Sequence, residues 1–387
     1  MIRNISVGID IGTHSTKVVV GEFLKGEKNP KVLGIGEAPT EGMRHGYVVT
    51  PSVVTTSIKK AVEQAEKTSG IRIRRAYIAV GGVTLRGNLA AGVAIVSKAD
   101  GEVTILDVNK ALEECEESVN SGNKKVILVS PVAFRLDGKE VLGRPEGMHG
   151  NKLEVRAMVV TVSNQHLDEL IGAIADAGIT PIDLIVSPLA ASAISLSEKQ
   201  KIVGSALVNI GSETVTLSVF ENNTLIALHS FSIGSSDITN DVALGLKITL
   251  EEAESLKLGA TNHEYSKKKL DEIIEARLGD IFELIENLLK KIKRSELLPA
   301  GVVFVGGGAN MPGIEALSKS SLKLPSKVAM PEMLGNTKTK LRDPAWYTAL
   351  GLLMHESDNE SYRDDSSFNL FKSIKSALRS GIKQLKP

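Results

Sequence analysis

The chain has 387 residues, 42% of them hydrophobic and 24% charged, and its 46 basic and 46 acidic side chains cancel to a formal net charge of zero. That length exceeds what one core serves and argues for two or three domains. The balanced charge offers no general attraction to nucleic acid, so no nucleic-acid partner is expected. The lone cysteine, Cys115, cannot form an internal disulfide, which fits a reducing compartment. No run of about 20 apolar residues occurs, and Met-Ile-Arg-Asn leads directly into a strand pattern, so neither a bilayer span nor a signal peptide is expected.

In chain order, Ile5 to Asp10 and Lys17 to Phe23 read as strands joined by Ile11-Gly12-Thr13-His14-Ser15-Thr16, a hairpin with a glycine-bearing turn. A helix is expected from Pro51 to Thr68, with Val54, Ile58, Ala61, Val62 and Ala65 on one face. The strand Arg75 to Val80 follows and breaks at Gly81-Gly82. Residues 83–161 form a module of different character, in which strands Asn88 to Val96, Lys125 to Ser130 and Leu153 to Thr161 surround a helix from Asp107 to Val119. After His166 a helix carries the chain to Gly178, and Ile182 to Val186 resumes the earlier strand pattern.

Near Val203 the opening motif returns. Ala206 to Ile210, then Gly211-Ser212-Glu213, then Thr214 to Phe220 repeat strand, glycine turn and strand. Two such hairpins about 200 residues apart predict an internal duplication. Helical stretches follow over Ser236 to Leu258 and Lys268 to Arg294, then the strand Gly301 to Val305 and the turn Gly306-Gly307-Gly308.

These turns suggest phosphate chemistry. A glycine-bearing turn behind a strand can aim several backbone N–H groups at one phosphate, and small hydroxyl residues do not obstruct the approach. In the first hairpin, Thr13 offers a hydroxyl and Lys17 a charge, while Asp10 at the strand end is placed to hold the water shell of Mg²⁺. Gly306-Gly307-Gly308-Ala309-Asn310 follows an apolar strand and precedes a helix at Ile314, an arrangement in which a nucleotide can approach the backbone closely. No Gly-x-x-x-x-Gly-Lys-Ser/Thr motif occurs, which excludes a P-loop NTPase.

The order of hairpin, hairpin and strand–helix turn resembles the actin, Hsp70 and sugar-kinase superfamily, whose two related halves clamp ATP between them. Within it the chain is most similar to the FtsA family of bacterial cell-division proteins, which tether FtsZ. The likeness covers essentially the whole chain and is carried by Glu41-Gly-Met-Arg-His-Gly46-Tyr-Val, Ala76 to Gly82, Ala253-Glu254-Ser-Leu-Lys257-Leu-Gly259, Glu272-Ile-Ile-Glu-Ala-Arg277 and Pro344-Ala-Trp-Tyr-Thr-Ala-Leu-Gly351.

This resemblance implies an α/β, actin-like two-lobed ATPase fold made of duplicated RNase H-like domains, with an inserted SHS2-type subdomain and a C-terminal amphipathic helix. It divides the chain into 1–82 (subdomain 1A), 83–161 (1C), 162–200 (1A), 201–235 (2A), 236–299 (2B), 300–335 (2A), 336–355 (return to 1A), a flexible linker over 356–367 and a membrane-targeting helix over 368–387. The cofactors implied are ATP and Mg²⁺. The nucleotide-binding set is Asp10, Gly12, Thr13, His14, Lys17, Asn209, Gly211, Ser212, Glu254, Lys257, Gly306, Gly307, Gly308 and Asn310, with Glu254 and Lys257 facing the adenosine. The second hairpin departs from the pattern. An aspartate and a run of glycines are usual there, whereas this chain has Asn209, which cannot act as a carboxylate, and Glu213, whose charge falls near the phosphates unless it turns away. ATP binding with slow or absent hydrolysis is the expectation.

From Phe368 to the end, Phe371, Ile374, Leu378, Ile382 and Leu385 recur at steps of three and four, and Lys372, Lys375, Arg379, Lys383 and Lys386 flank that stripe without an acidic residue. This is the composition of a helix lying in an anionic membrane surface on its cytoplasmic side, at the division site in the family reading. Polymerisation multiplies such weak tails by avidity. On the helix expected from Leu270 to Arg294, Ile274, Leu278, Ile281, Ile285, Leu288 and Ile292 form one stripe. By resemblance its subdomain takes the C-terminal peptide of FtsZ, with Arg277, Lys291 and Arg294 as contacts, and subdomain 1C takes other division proteins. The alternatives are a PilM-like pilus-assembly homologue, for which no terminal amphipathic helix is expected, and a sugar kinase, which needs a catalytic carboxylate beside a sugar pocket.

Overall fold

The computed structural model describes residues 4–27, 29–119, 122–260, 265–334 and 340–361. Strands β1 (Asn4–Ile11) and β2 (Ser15–Phe23) pair antiparallel through the first glycine turn, with Asp10 opposite Lys17. Strand β3 (Lys31–Pro39) joins the far side of β2, and a two-rung hairpin of β4 (Met43–Arg44) and β5 (Tyr47–Val48) follows. Helix α1 (Pro51–Ser69) starts on a proline, which suits a position whose N–H has no helical partner, and buries the apolar face expected for it. Strand β6 (Arg75–Val80) then lies parallel to β1.

The inserted module comprises β7 (Arg86–Ile95), α2 (Ile105–Val119), β8 (Lys124–Leu136), β9 (Lys139–Val141) and β10 (Lys152–Ser163). Helix α3 (Asn164–Asp176), strand β11 (Thr180–Val186) and helices α4 (Ser187–Ser195) and α5 (Glu198–Val203) lead out of the first lobe. In the second lobe, β12 (Ser205–Ile210), β13 (Val215–Glu221) and β14 (Thr224–Phe231) form an antiparallel meander. Helices α6 (Ser235–Leu246), α7 (Leu250–Lys257) and α8 (Lys267–Lys291) follow. Strand β15 (Val302–Val305), helix α9 (Ile314–Leu322) and strand β16 (Ser326–Val328) complete the lobe, and α10 (Tyr347–Ser361) returns to the first.

The duplication is explicit in the sheets. The first lobe runs β11-β6-β1-β2-β3 and the second β16-β15-β12-β13-β14, the same order in each half, with the three meander strands antiparallel and the other two strands of each sheet added in parallel. The second sheet continues through a single His229–Arg86 pair into β7, β10, β8 and β9. The main core clusters lie one in each lobe and one inside the module, with a smaller fourth of Tyr77, Ala79, Ile185, Ala190 and Leu352; the first spans both lobes, because Leu207, Phe220, Val303 and Val305 of the second sheet pack into it. Trp346 and Tyr347 are fully buried there and anchor the start of α10.

Three expectations are corrected. The stretch Ser236 to Leu258 is two helices: α6 ends on Lys247 in the left-handed region (φ 58°), and Thr249 caps α7 by accepting from the Glu252 N–H at 3.2 Å. Strand β8 runs through Pro131 to Leu136: the proline sits opposite Ala157 at a register shift, the kind of irregularity at which a strand tolerates a residue without an N–H. Helix α10 continues to Ser361, so 356–361 are helical and not linker; a helix nucleated in a buried turn extends into polar sequence at little cost. The rest of that linker and the membrane-targeting residues Phe368 to Leu385 lie outside the described residues.

Candidate functional site

A cavity of about 770 Å³ opens between the lobes, and the three glycine turns meet at it. All fourteen residues assembled from the sequence line it: Asp10, Gly12, Thr13, His14 and Lys17 from the first hairpin, Asn209, Gly211 and Ser212 from the second, Glu254 and Lys257 from α7, and Gly306, Gly307, Gly308 and Asn310 after β15. The turns are built tightly. Gly12 N–H donates to the Ser15 carbonyl at 3.2 Å and Gly211 N–H to the Thr214 carbonyl at 2.8 Å, the same bond in each hairpin. Gly306 has φ +85°, and a Cβ there would lie 2.3 Å from Asn209 Oδ1 and 2.5 Å from the Ile210 carbonyl. Only glycine brings the third turn this close to the second.

The charges are arranged unevenly. Burial pushes the Asp10 carboxyl up to about 6, against the pull of Lys17. Lys17 is itself buried; its ammonium donates to Ser15 Oγ, lies 3.3 Å from Glu37 and sits 5.8 Å from the Trp346 ring centroid. Lys340 approaches the same ring at 5.6 Å and the other Glu37 oxygen at 2.5 Å. Burial alone would raise Glu37, but its bonds and charges from Lys340 and Lys17 hold it below the ordinary carboxylate range.

On the other side of the cavity, Lys257 is buried and donates to Thr239 Oγ1 at 2.7 Å and to the Ser235 carbonyl at 3.1 Å. It pairs with Glu254 at 2.5 Å. Burial raises the Glu254 carboxyl, and the Lys257 and Thr239 bonds outweigh that and hold it low. The second turn is seated on the start of α6: Ser235 N–H donates to the Gly211 carbonyl, Ser236 N–H to the Ser212 carbonyl, and the two serine hydroxyls lie 2.6 Å apart.

Sequence reasoning missed several lining residues. Glu37, His166, Ser236, Thr239 and Asp343 all reach the cavity, and Asp343 accepts from the Asn310 side chain at 2.8 Å. The Gly234-Ser-Ser-Asp237 helix start was a legible signal for Ser236, since Asp237 accepts from the Gly234 N–H at 2.8 Å. Glu37 carries no local pattern, and the local pattern at Asp343 is that of a cap, since it accepts from the Ala345 N–H at 2.9 Å ahead of Pro344. Glu213 does not line the cavity. It turns away from it, and its carboxylate accepts from the His45 N–H at 2.6 Å.

Of the residues expected to contact a partner peptide, two are engaged within the chain. Arg277 is bidentate to Asp241, at 2.5 and 3.0 Å, and fastens α8 to α6; Arg294 pairs with Glu221 at 2.7 Å. Lys291 is exposed. The helix buries Phe282 and Leu289 where the stripe read from the sequence had Leu288 and Ile292, which lie at the margin of the core.

The profile "Cell division protein FtsA" matches residues 206–351, and "SHS2 domain inserted in FTSA" matches residues 82–161, the inserted module. The cell division protein FtsA of Bacillus subtilis (strain 168) is 32% identical over 375 residues, covering 91% of this chain and 83% of that protein. The chain belongs to the FtsA family. The FtsA of Escherichia coli (strain K12) is 24% identical over 412 aligned positions, with 99% of this chain and 97% of that protein covered. Among solved structures, the PilM-PilN type IV pilus biogenesis complex superposes with a TM-score of 0.70 at 18% identity, covering 90% of this chain and 98% of that one. MreB5 of Spiroplasma citri bound to ADP superposes with a TM-score of 0.55 at 10% identity, covering 94% and 99%. These likenesses show that this FtsA-family chain has the actin-like fold.

Proposed function

We propose that this cell-division protein binds ATP with Mg²⁺ in the cleft, polymerises, and holds FtsZ filaments at the cytoplasmic face of the membrane through its C-terminal segment. The observation that carries the nucleotide reading is the convergence of three glycine turns, contributed by both halves of a duplicated fold, on one cavity with Asp10, Lys17 and Lys257 around it. The residues present suit the group. The close approach at Gly306 leaves backbone and no side chain facing the cavity, and the polar liners include two cations for an anionic ligand.

In this reading Gly12, Thr13, Gly211 and Ser212 hold phosphates through N–H and hydroxyl groups, with His14 and Lys17 beside them. Gly306, Gly307, Gly308 and Asn310 close the third side, and Glu254 with Lys257 holds the nucleoside. Bound ATP supplies a polyanion that both lobes grip at once. Asp10 would orient the water shell of Mg²⁺, which would supply positive charge against the phosphates. Asn209 occupies the strand end where the superfamily has an aspartate; an amide accepts hydrogen bonds but takes up no proton from an attacking water, so hydrolysis is slow or absent.

No helix among the described residues is long and apolar enough to cross a membrane. Attachment is assigned to the stripe Phe368, Phe371, Ile374, Leu378, Ile382 and Leu385 with the basic residues Lys372, Lys375, Arg379 and Lys383 beside it. A single tail of this kind gives reversible binding, and a filament of such tails gives strong binding. The exposed Lys291, together with Arg277 and Arg294 of the second lobe, is assigned to the FtsZ C-terminal peptide, and the inserted module to other division proteins. The test is co-sedimentation with anionic liposomes, comparing the full chain with one ending at Ser366, each with and without ATP and Mg²⁺. Pelleting of the full chain alone, with filaments on the lipid when ATP is present, supports the proposal. Equal pelleting of the truncated chain removes the tail from it.

A further inference from the structure

The short β4–β5 hairpin touches both phosphate turns and the inserted module at once. From the second lobe, the Glu213 carboxylate accepts from the His45 N–H at 2.6 Å, and the Glu213 carbonyl lies 3.1 Å from His45 Nδ1. From the first lobe, Thr13 Oγ1 accepts from the Gly46 N–H at 2.9 Å. Toward the module, the His45 carbonyl accepts from the Val83 N–H at 3.0 Å, and a Cβ on Gly46 would fall 2.5 Å from Gly82 Cα. Tyr47 of the same hairpin lies 4.9 Å from the ring of His166, which lines the cleft.

The turn is held in a sparsely populated conformation. His45 has φ +49°, between Gly42 and Gly46 at +79° and +70°. A non-glycine residue in that region persists when its surroundings over-determine it, and here the bonds from Glu213, Thr13 and Val83 do so. Glu213 thus avoids the phosphate site and links the lobes instead.

We propose that the Met43–Val48 hairpin is an interlobe clasp, with Glu213 as a positioning residue: it sets the separation of the two phosphate turns before a nucleotide enters and passes that setting to the junction of the inserted module at Gly82-Val83. The proposal rests on the nucleotide reading of the cleft for its consequence on ATP, but the clasp itself is a property of the protein without ligand. Breaking the Glu213 bond frees the second turn from the hairpin. It also loosens the Val83 amide, which Glu213 does not touch.

The experiment compares wild type, Glu213→Ala, Glu213→Asp and Glu213→Gln in the full chain, by amide hydrogen exchange without nucleotide and by calorimetric titration with ATP-Mg²⁺. In wild type the amides of His45, Gly46 and Val83 exchange slowly. Alanine, and aspartate with its shorter reach, speed exchange at all three and weaken ATP binding by about tenfold, the size of one lost bond to a charged acceptor. Glutamine keeps an acceptor oxygen at full reach and restores slow exchange and affinity to within about twofold. Wild-type exchange at Gly46 and Val83 in the alanine and aspartate variants overturns the clasp, as does unchanged ATP affinity in those variants when the wild type binds. Absence of ATP binding by the wild type removes the nucleotide reading instead, and the exchange arm still decides the clasp.

Discussion

Replacing Asp10 with asparagine should stabilise the nucleotide-free protein and weaken its response to ATP-Mg²⁺. The Asp10 carboxyl titrates near 6 where 3.8 is ordinary, because burial at the cleft floor outweighs Lys17. A carboxyl with a raised folded-state pKa costs nothing where both states are protonated, begins to destabilise as the pH rises above about 4, and carries its full penalty above the folded pKa near 6. The full penalty is at most about 3 kcal/mol, and water entering the open cleft trims it to about 1–2 kcal/mol. Asparagine has the same shape and no charge. Its Tm advantage should therefore be about a third of its full size at pH 4.5 and reach a few degrees at pH 7 and above, at about 3 °C per kcal/mol for a lobe of this size. Thermal unfolding from pH 4.5 to 8 measures it. With saturating ATP-Mg²⁺ the wild type should gain more in Tm than the variant, because the cation discharges the penalty only where a carboxylate exists. A Tm difference that is constant across this pH range, or a variant less stable than wild type at pH 8, would refute the reasoning.

Gly306→Ala puts a Cβ into Asn209 and the Ile210 carbonyl at a φ of +85°, so it should lower stability by about 2 kcal/mol and weaken ATP binding at least tenfold, read by denaturant unfolding and titration. Lys257→Met leaves Glu254 without its ammonium partner and should reduce ATP affinity by about tenfold. Lys291→Glu should weaken capture of an acidic peptide several-fold in a fluorescence titration and leave Tm unchanged, because that side chain is exposed. Arg277→Met should instead lower stability by about 1–2 kcal/mol, since it removes the bidentate bond that ties α8 to α6.

The site was legible because its parts are local patterns. Strand, glycine turn and strand recur as Ile9-Asp10-Ile11-Gly12 and Val208-Asn209-Ile210-Gly211, and the matching sheet orders follow from the same duplication. Boundaries failed where tertiary context overrode a local signal. Lys247 adopts a left-handed conformation that no residue type there announces, and Pro131 looked like the end of a strand that instead bulges and continues. Glu37 and Asp343 escaped notice because their partners are distant in sequence: Lys340 for one, Asn310 for the other. Arg277 and Arg294 looked like a basic surface because Asp241 and Glu221, which neutralise them, lie dozens of positions away. Glu213 could be flagged as a charge in an awkward place, but the direction it turned depended on His45 in the other lobe.

The inserted module enters and leaves the first lobe side by side, since Arg86 at the start of β7 is paired with Thr161 near the end of β10. That geometry looks like a cassette, yet the roots of its strands are shared property. Ile127, Leu128, Met158, Val160 and Val162 belong to the core of the first lobe, while Val126, Val129, Val155, Ala157 and Val159 belong to the module's own. A transplanted module from a distant homologue must therefore carry two matched sets of contacts, one facing its own helix and one facing the host. Clean excision at the same joints exposes the host's interior, so chimaeras should splice above these rungs and keep them.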